Sequence, residues 1–186
     1  MQRTLLAAAL LLGTATGAHA AGFTLGSPDI KAGGTIDKKF EFNGFGCSGE
    51  NKSPALKWSG APKDTKSYAL TMYDPDAPTG SGWWHWSVIN IPADTTALAA
   101  NAGAAGGANL PKGAMPVRGD FGVAAWGGVC PPEGDKPHRY IFTVHALNTD
   151  KLEIPADATA ALAGFMINGN ALGKASFTAK YGRKAK

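Results

Sequence analysis

The sequence predicts one domain built mainly of antiparallel β-sheet with a few helices. Three observations carry that expectation. Ser67 to Tyr73, His85 to Ile91 and Arg139 to Leu147 are apolar, β-favouring runs of strand length. Stretches rich in proline and glycine separate them and forbid regular helix there. No internal repeat and no interdomain linker divides the 186 residues, whose 44% apolar and 17% charged content suits one hydrophobic core.

The chain opens on Met1-Gln2-Arg3, a positive start, followed by the apolar run Leu5 to Leu12 and by Ala18-His19-Ala20, a small-x-small cleavage site. These features read as a signal peptide over residues 1–20, with a single folded domain over 21–186. The apolar run is far shorter than the roughly 20 residues that span a bilayer, so no membrane span is expected. No cysteine stands at the cleavage point to carry a lipid. The expectation is a soluble periplasmic or secreted product. Formal net charge is +4, and without Arg3 it is +3 from 17 basic and 14 acidic residues. The basic residues form no stripe, which argues against nucleic acid as a partner, and the KYGRKAK tail reads as a solvated terminus.

Ser67 to Tyr73 and His85 to Ile91 are expected to be neighbouring strands. Between them Asp74-Pro75 and Ala77-Pro78 stiffen the chain while Gly80 and Gly82 allow sharp reversals, so the connection is long but structured. Residues 93–117 are rich in Ala, Gly and Asn, carry Pro111 and Pro116, and read as an extended loop suited to a binding rim. Arg139 to Leu147 is apolar on both alternating faces, as in a strand covered on both sides. After Pro155, helical spacing over Asp157 to Leu172 gathers Ala158, Ala161, Leu162, Phe165 and Met166 on one face, although Gly164 and Gly169 weaken the pattern. Ala175 to Tyr181 alternates again and reads as a closing strand.

Two cysteines, Cys47 and Cys130, in an exported chain make one disulfide the natural pairing. Two buried free thiols are the alternative. A catalytic Cys130 is disfavoured, because Val129, Pro131 and Pro132 beside it supply no base. His85 and His138 each open a strand after a rigid loop, and adjacent strands would bring those loops together at one sheet edge. Alone, Asp74 reads as an Asx-turn residue and His138 as structural. Asp74, Asp76 and the two histidines make a weak metal set: no histidine pair has i, i+4 spacing and no Cys or His cluster backs it, so neither metal nor cofactor is expected. Hydrolysis would need His85 or His138 as base and Ser81 or Ser87 as nucleophile, yet Ser81 sits in Gly-Ser-Gly rather than in a nucleophile elbow.

DPDAP (Asp74 to Pro78) followed by WHW and VINIP, together with GGVCPPEGDKPHRYIFTVHAL, SPALKWSGAP (Ser53 to Pro62) and the terminal KYGR, resembles the phosphatidylethanolamine-binding protein family, in particular its bacterial Raf kinase inhibitor-like branch. The likeness runs from Phe23 to Arg183. It implies a large antiparallel sheet packed on a smaller one, with short peripheral helices and a small anion pocket at one end. The pocket residues it implies are Asp74 and Asp76, Trp83 and His85, His138 and Tyr140, and the turn Gly128, Val129, Cys130 and Pro131, with the Val129 and Cys130 N–H groups facing the anion. Cys130 stands where eukaryotic members have glycine, so a bond to Cys47 would lie beside the pocket rim. The chain after Leu172 is short and polar, without a helix to close over the pocket, so the contacts that eukaryotic members draw from there do not transfer.

The function these features imply is an exported, non-enzymatic binding protein with a rigid pocket for a phosphate monoester, phospholipid head group or similar small anion. Affinity should fall as pH rises through the histidine range. A protein-interaction or inhibitor role against a protease or host factor, through the pocket rim and residues 93–117, is the alternative, and a weak hydrolase the third reading.

Overall fold

Strand-forming runs separated by Pro- and Gly-rich turns can bury their apolar faces only by stacking sheets, and the chain does so. The computed structural model describes residues 22–185, so the signal-peptide reading of residues 1–20 lies outside the described residues. In chain order the strands are β1 (Thr24–Gly26), β2 (Asn43–Gly44), β3 (Cys47–Ser48), β4 (Leu56–Ser59), β5 (Ser67–Asp74), β6 (Trp83–Pro92), β7 (Ala97–Leu98), β8 (Met115–Val117), β9 (His138–Leu147) and β10 (Ala171–Tyr181). Among the described residues there is one α-helix, α1 (Ala160–Asn170), which runs directly into β10. The large sheet has the order β10-β9-β5-β6-β8, the small sheet β1-β4-β7, and β2-β3 forms a separate hairpin. All these strand pairs are antiparallel.

One face of the large sheet, through Leu70, Met72, Trp86, Val88, Phe142 and Val144, packs with Leu56 and Trp58 of the small sheet. Each fully buried Leu, Val, Phe or Met here contributes about 1.5–3 kcal/mol of burial. The other face presents Ala69, Ile89 and Leu147 to Ala163 and Ile167 of α1. Thus β9, flanked by β10 and β5, is apolar on both sides because both are covered.

Two departures from the sequence reading have clear causes. Residues 93–117 are not one loop: β7 joins the small sheet, and β8 pairs with β6 as an edge strand. Pro116 is tolerated there because only one side of an edge strand needs ladder donors. The helix starts at Ala160, where the Thr159 hydroxyl accepts from the Leu162 amide at 3.2 Å, and not near Pro155. Its buried face is Ala160, Ala163 and Ile167, whereas Leu162 and Phe165 of the expected apolar face are 41% and 74% exposed. Small side chains let the helix lie close on the sheet.

Candidate functional site

In an antiparallel sheet the end of one strand meets the beginnings of its neighbours, so the last residue of β5 lies beside the first residues of β6 and β9. Asp74 closes β5 and His138 opens β9. Both are buried, and the His138 Nδ1–H donates to Asp74 Oδ2 at 2.8 Å. Asp74 Oδ1 also accepts from the Asp76 amide at 2.8 Å, so this carboxylate is an Asx-turn residue and a histidine-orienting group at once. Asp135 approaches the opposite nitrogen, 3.5 Å from His138 Nε2.

His85 is delivered by a β-bulge. Met72 faces Trp86 and Tyr73 faces Trp84, so His85 is the extra residue of β6. The bulge turns His85 to the side of Trp86, where its ring meets Tyr140 edge-on at 5.2 Å. Its Nδ1 lies 2.8 Å from the Gly127 carbonyl and 3.2 Å from that of Gly128, both acceptors, so Nδ1 carries the proton and Nε2 keeps its lone pair. Burial lowers the His85 pKa below its ordinary value, with the Gly127 carbonyl opposing the shift. Burial also pushes the Tyr140 phenol well above the usual tyrosine range, helped by the nearby Asp74 charge.

The opposite wall is the turn over 127–132, tied to the β2–β3 hairpin by the Cys47–Cys130 disulfide with Cα atoms 6.0 Å apart. Gly128 is required by close approach, since a Cβ there would collide with the Phe40 carbonyl and the Phe42 amide. Its own N–H donates to Asn51 Oδ1 at 2.8 Å, and the Val129 N–H donates to the Phe40 carbonyl at 3.3 Å. The Val129 donor assigned to the anion from sequence is therefore already engaged in the fold.

These parts enclose a cavity of about 170 Å³. Asp74, Trp83, His85, Cys130, Pro131 and His138 of the expected set line it. Gly128, Val129 and Tyr140 are buried and do not line it. Asp76 turns away: its carboxylate accepts from the Arg139 backbone N–H at 2.8 Å, from Nε at 2.9 Å and from Nη2 at 2.7 Å. That guanidinium holds the Asp76 carboxyl down at about 2. Residues 93–117 do not reach this cavity, and neither Ser81 nor Ser87 lines it.

Phe45, Thr79 and Phe121 line the cavity and were not singled out from sequence. A signal for Phe45 existed, because Phe42-Asn43-Gly44-Phe45-Gly46 immediately precedes Cys47 and any disulfide to Cys130 carries it to the turn. The C-terminal residues also reach the wall, through contacts of this chain's own. Arg183 donates from Nη2 to the Gly46 carbonyl at 2.6 Å and to Glu133 Oε1 at 2.7 Å, and from Nη1 to the Pro131 carbonyl at 3.3 Å. It thus bridges the same hairpin and turn that the disulfide joins.

Residues 26–182 match the family model described as phosphatidylethanolamine-binding protein. The chain is 50% identical to the protein YbcL of Escherichia coli over 179 residues, 96% of this chain and 98% of YbcL. The crystal structure of YbcL, described as a new member of the mammalian PEBP family, superposes with a TM-score of 0.86 at 52% identity, over 88% of this chain and all of that one. A phosphatidylethanolamine-binding protein homologue, CT736 from Chlamydia trachomatis, superposes with a TM-score of 0.73 at 28% identity, over 88% of this chain and 99% of that one.

Proposed function

The chain belongs to the phosphatidylethanolamine-binding protein family, and on that premise we propose that it is an exported, non-enzymatic binding protein whose cavity takes the monoanion of a phosphate ester or a similar small acid. The observation that carries this reading is the convergence of the Asp74–His138 pair and the free Nε2 of His85 on one cavity.

The polar wall is rich in acceptors. Above its lowered pKa His85 is neutral and offers a lone pair, and Asp74 brings negative charge. A dianion would face both unfavourably, whereas a monoanion can donate its remaining P–O–H or carboxyl proton to His85 Nε2. His138, when doubly protonated, donates from Nε2 to another ligand oxygen. Export is supported by the signal-like residues 1–20 and by the Cys47–Cys130 disulfide, which suits an oxidising compartment. The non-enzymatic reading rests on the nucleophiles at the cavity: the Thr79 hydroxyl donates to the Gly82 carbonyl at 2.6 Å, and Cys130 is spent in the disulfide.

Calorimetric titration with inorganic phosphate and with phosphoethanolamine at pH 6 and pH 8 tests the proposal. Binding at pH 6 that weakens by at least tenfold at pH 8 is expected, and absence of binding at both values overturns it. Steady release of nitrophenol from a nitrophenyl phosphate, lost in a His85→Gln variant, would overturn the non-enzymatic part.

A further inference from the structure

We infer that the ligand of this cavity is a small acid bearing a flat ring, its acid group against His85 and His138 and its ring against Phe121 and Phe45. The inference rests on the anion reading above and adds the chemical class of the rest of the ligand.

Size is the first argument. A cavity of about 170 Å³ has more room than a bare phosphate fills, and it matches the roughly 150 Å³ of an apolar cavity that takes a benzene ring. Space left beside an apolar wall forfeits dispersion contacts, so a ligand that fills the cavity is favoured over one that does not.

The second argument is how the walls divide. The polar groups Asp74, His85 and His138 stand together, and the remaining walls include Trp83, Phe121 and Phe45. Phe121 lies at the centre of these rings, 5.4 Å from His85, 5.3 Å from Trp83 and 5.9 Å from Phe45, whose plane is only 16° from its own. Phe121 thus meets the imidazole and Trp83 edge-on and stacks with Phe45, so aromatic surface runs from the imidazole to Phe45, and a flat ring can join it edge-on or stacked.

The third argument is Phe45 itself. Although its ring touches those of Phe42 and Phe121, it remains 75% exposed, and it holds a left-handed backbone (φ 52°) that bulky residues rarely adopt. The two residues that follow it are both tethered, Cys47 by the disulfide and Gly46 by the Arg183 bond to its carbonyl. A bulky apolar side chain held out at the mouth of an acid-binding cavity is placed to cover a ligand's apolar part.

Isothermal titration at pH 6 with inorganic phosphate, phenyl phosphate and butyl phosphate tests this on the native chain and on Phe45→Ser. Phenyl phosphate should bind about tenfold or more tightly than inorganic phosphate, and more tightly than butyl phosphate. In Phe45→Ser the ratio of phenyl phosphate to inorganic phosphate affinity should shrink to about twofold. Equal affinity of phenyl and inorganic phosphate overturns the inference and leaves the anion reading standing. Equal affinity of butyl and phenyl phosphate overturns it too, since the wall would then sense apolarity without flatness. A ratio that survives Phe45→Ser removes Phe45 from the site, and binding by none of the three sinks both readings.

Discussion

Replacing Cys47 and Cys130 by serine releases a loop whose ends are 83 residues apart. In the chain-entropy account the lost cross-link costs about 4.5 kcal/mol at 25 °C. At 2–4 °C per kcal/mol for a domain of this size, the melting temperature should fall by roughly 9–18 °C. The wall of the cavity should suffer less than the fold, because Arg183 joins the same two segments through the Gly46 and Pro131 carbonyls. Affinity for inorganic phosphate is therefore expected to drop only about threefold in the serine variant, and about threefold in Arg183→Met. Combined, the changes should cost well over the roughly ninefold product, since each tether holds the wall when the other is gone. Differential scanning calorimetry reads the first effect and isothermal titration the second. A melting shift below about 3 °C would refute the loop argument. A combined loss equal to the product of the single losses would refute the shared-tether argument.

Other outcomes follow from the same geometry. With His85 neutral and the second pKa of a phosphate monoester near 6, binding above about pH 6.5 takes up one proton, so affinity should fall tenfold per pH unit between pH 7 and 8; a flat profile by calorimetry contradicts this. Asp74→Asn should weaken phosphate binding at least tenfold by releasing His138, whereas Asp76→Asn, which disturbs the partly exposed Arg139 pair, should change it by less than about twofold; equal effects in titration would break the distinction. His145 is buried with an unpartnered Nδ1, and burial, with Lys174 across the strand pair, lowers its pKa to about 4. The unfolded imidazole gains its proton as pH drops through about 6.5 but the native one only near 4, so this stability is complete above pH 6.5 and is lost on acidification towards 4, at most about 3 kcal/mol. His145→Leu should flatten the dependence of urea-unfolding stability on pH across that window, and an unchanged slope would count against the assignment.

The large sheet was legible because its strands carry their signal locally. Ser67 to Tyr73, His85 to Ile91 and Arg139 to Leu147 reappear as β5, β6 and β9 with boundaries moved by one or two residues at most ends. The helix was legible in place but not in orientation: its larger apolar residues, Leu162 and Phe165, suggested a buried face, yet close packing on Ile89 and Leu147 selected Ala163 and Ile167. At the site, Asp74 and His138 read singly as a turn residue and a structural one; the two rigid loops that each deliver an imidazole to the start of a strand, and the family resemblance, singled out Asp74, His85 and His138 together. Asp74 and Asp76, two residues apart, look equivalent in a line of letters, but Asp74 is the last residue of β5 and faces His138, whereas Asp76 lies in the turn beyond the strand and pairs with Arg139.

Residue types and spacing alone therefore determined a β-rich domain, a two-loop meeting point at one sheet edge and the chemistry available there. Which atoms remain free for a ligand was decided only in three dimensions. The bulge that turns His85 inward depends on how β6 registers against β5, and the loss of the Gly128 and Val129 donors depends on Asn51 and Phe40, more than 70 residues away in the chain. The approach of Phe45 and Arg183 to the cavity likewise depends on chain segments that meet only after folding. Alternation and turn chemistry act between near neighbours, whereas register, close packing and hydrogen-bond competition act across the assembled core, and those contacts separate a free donor from a spent one.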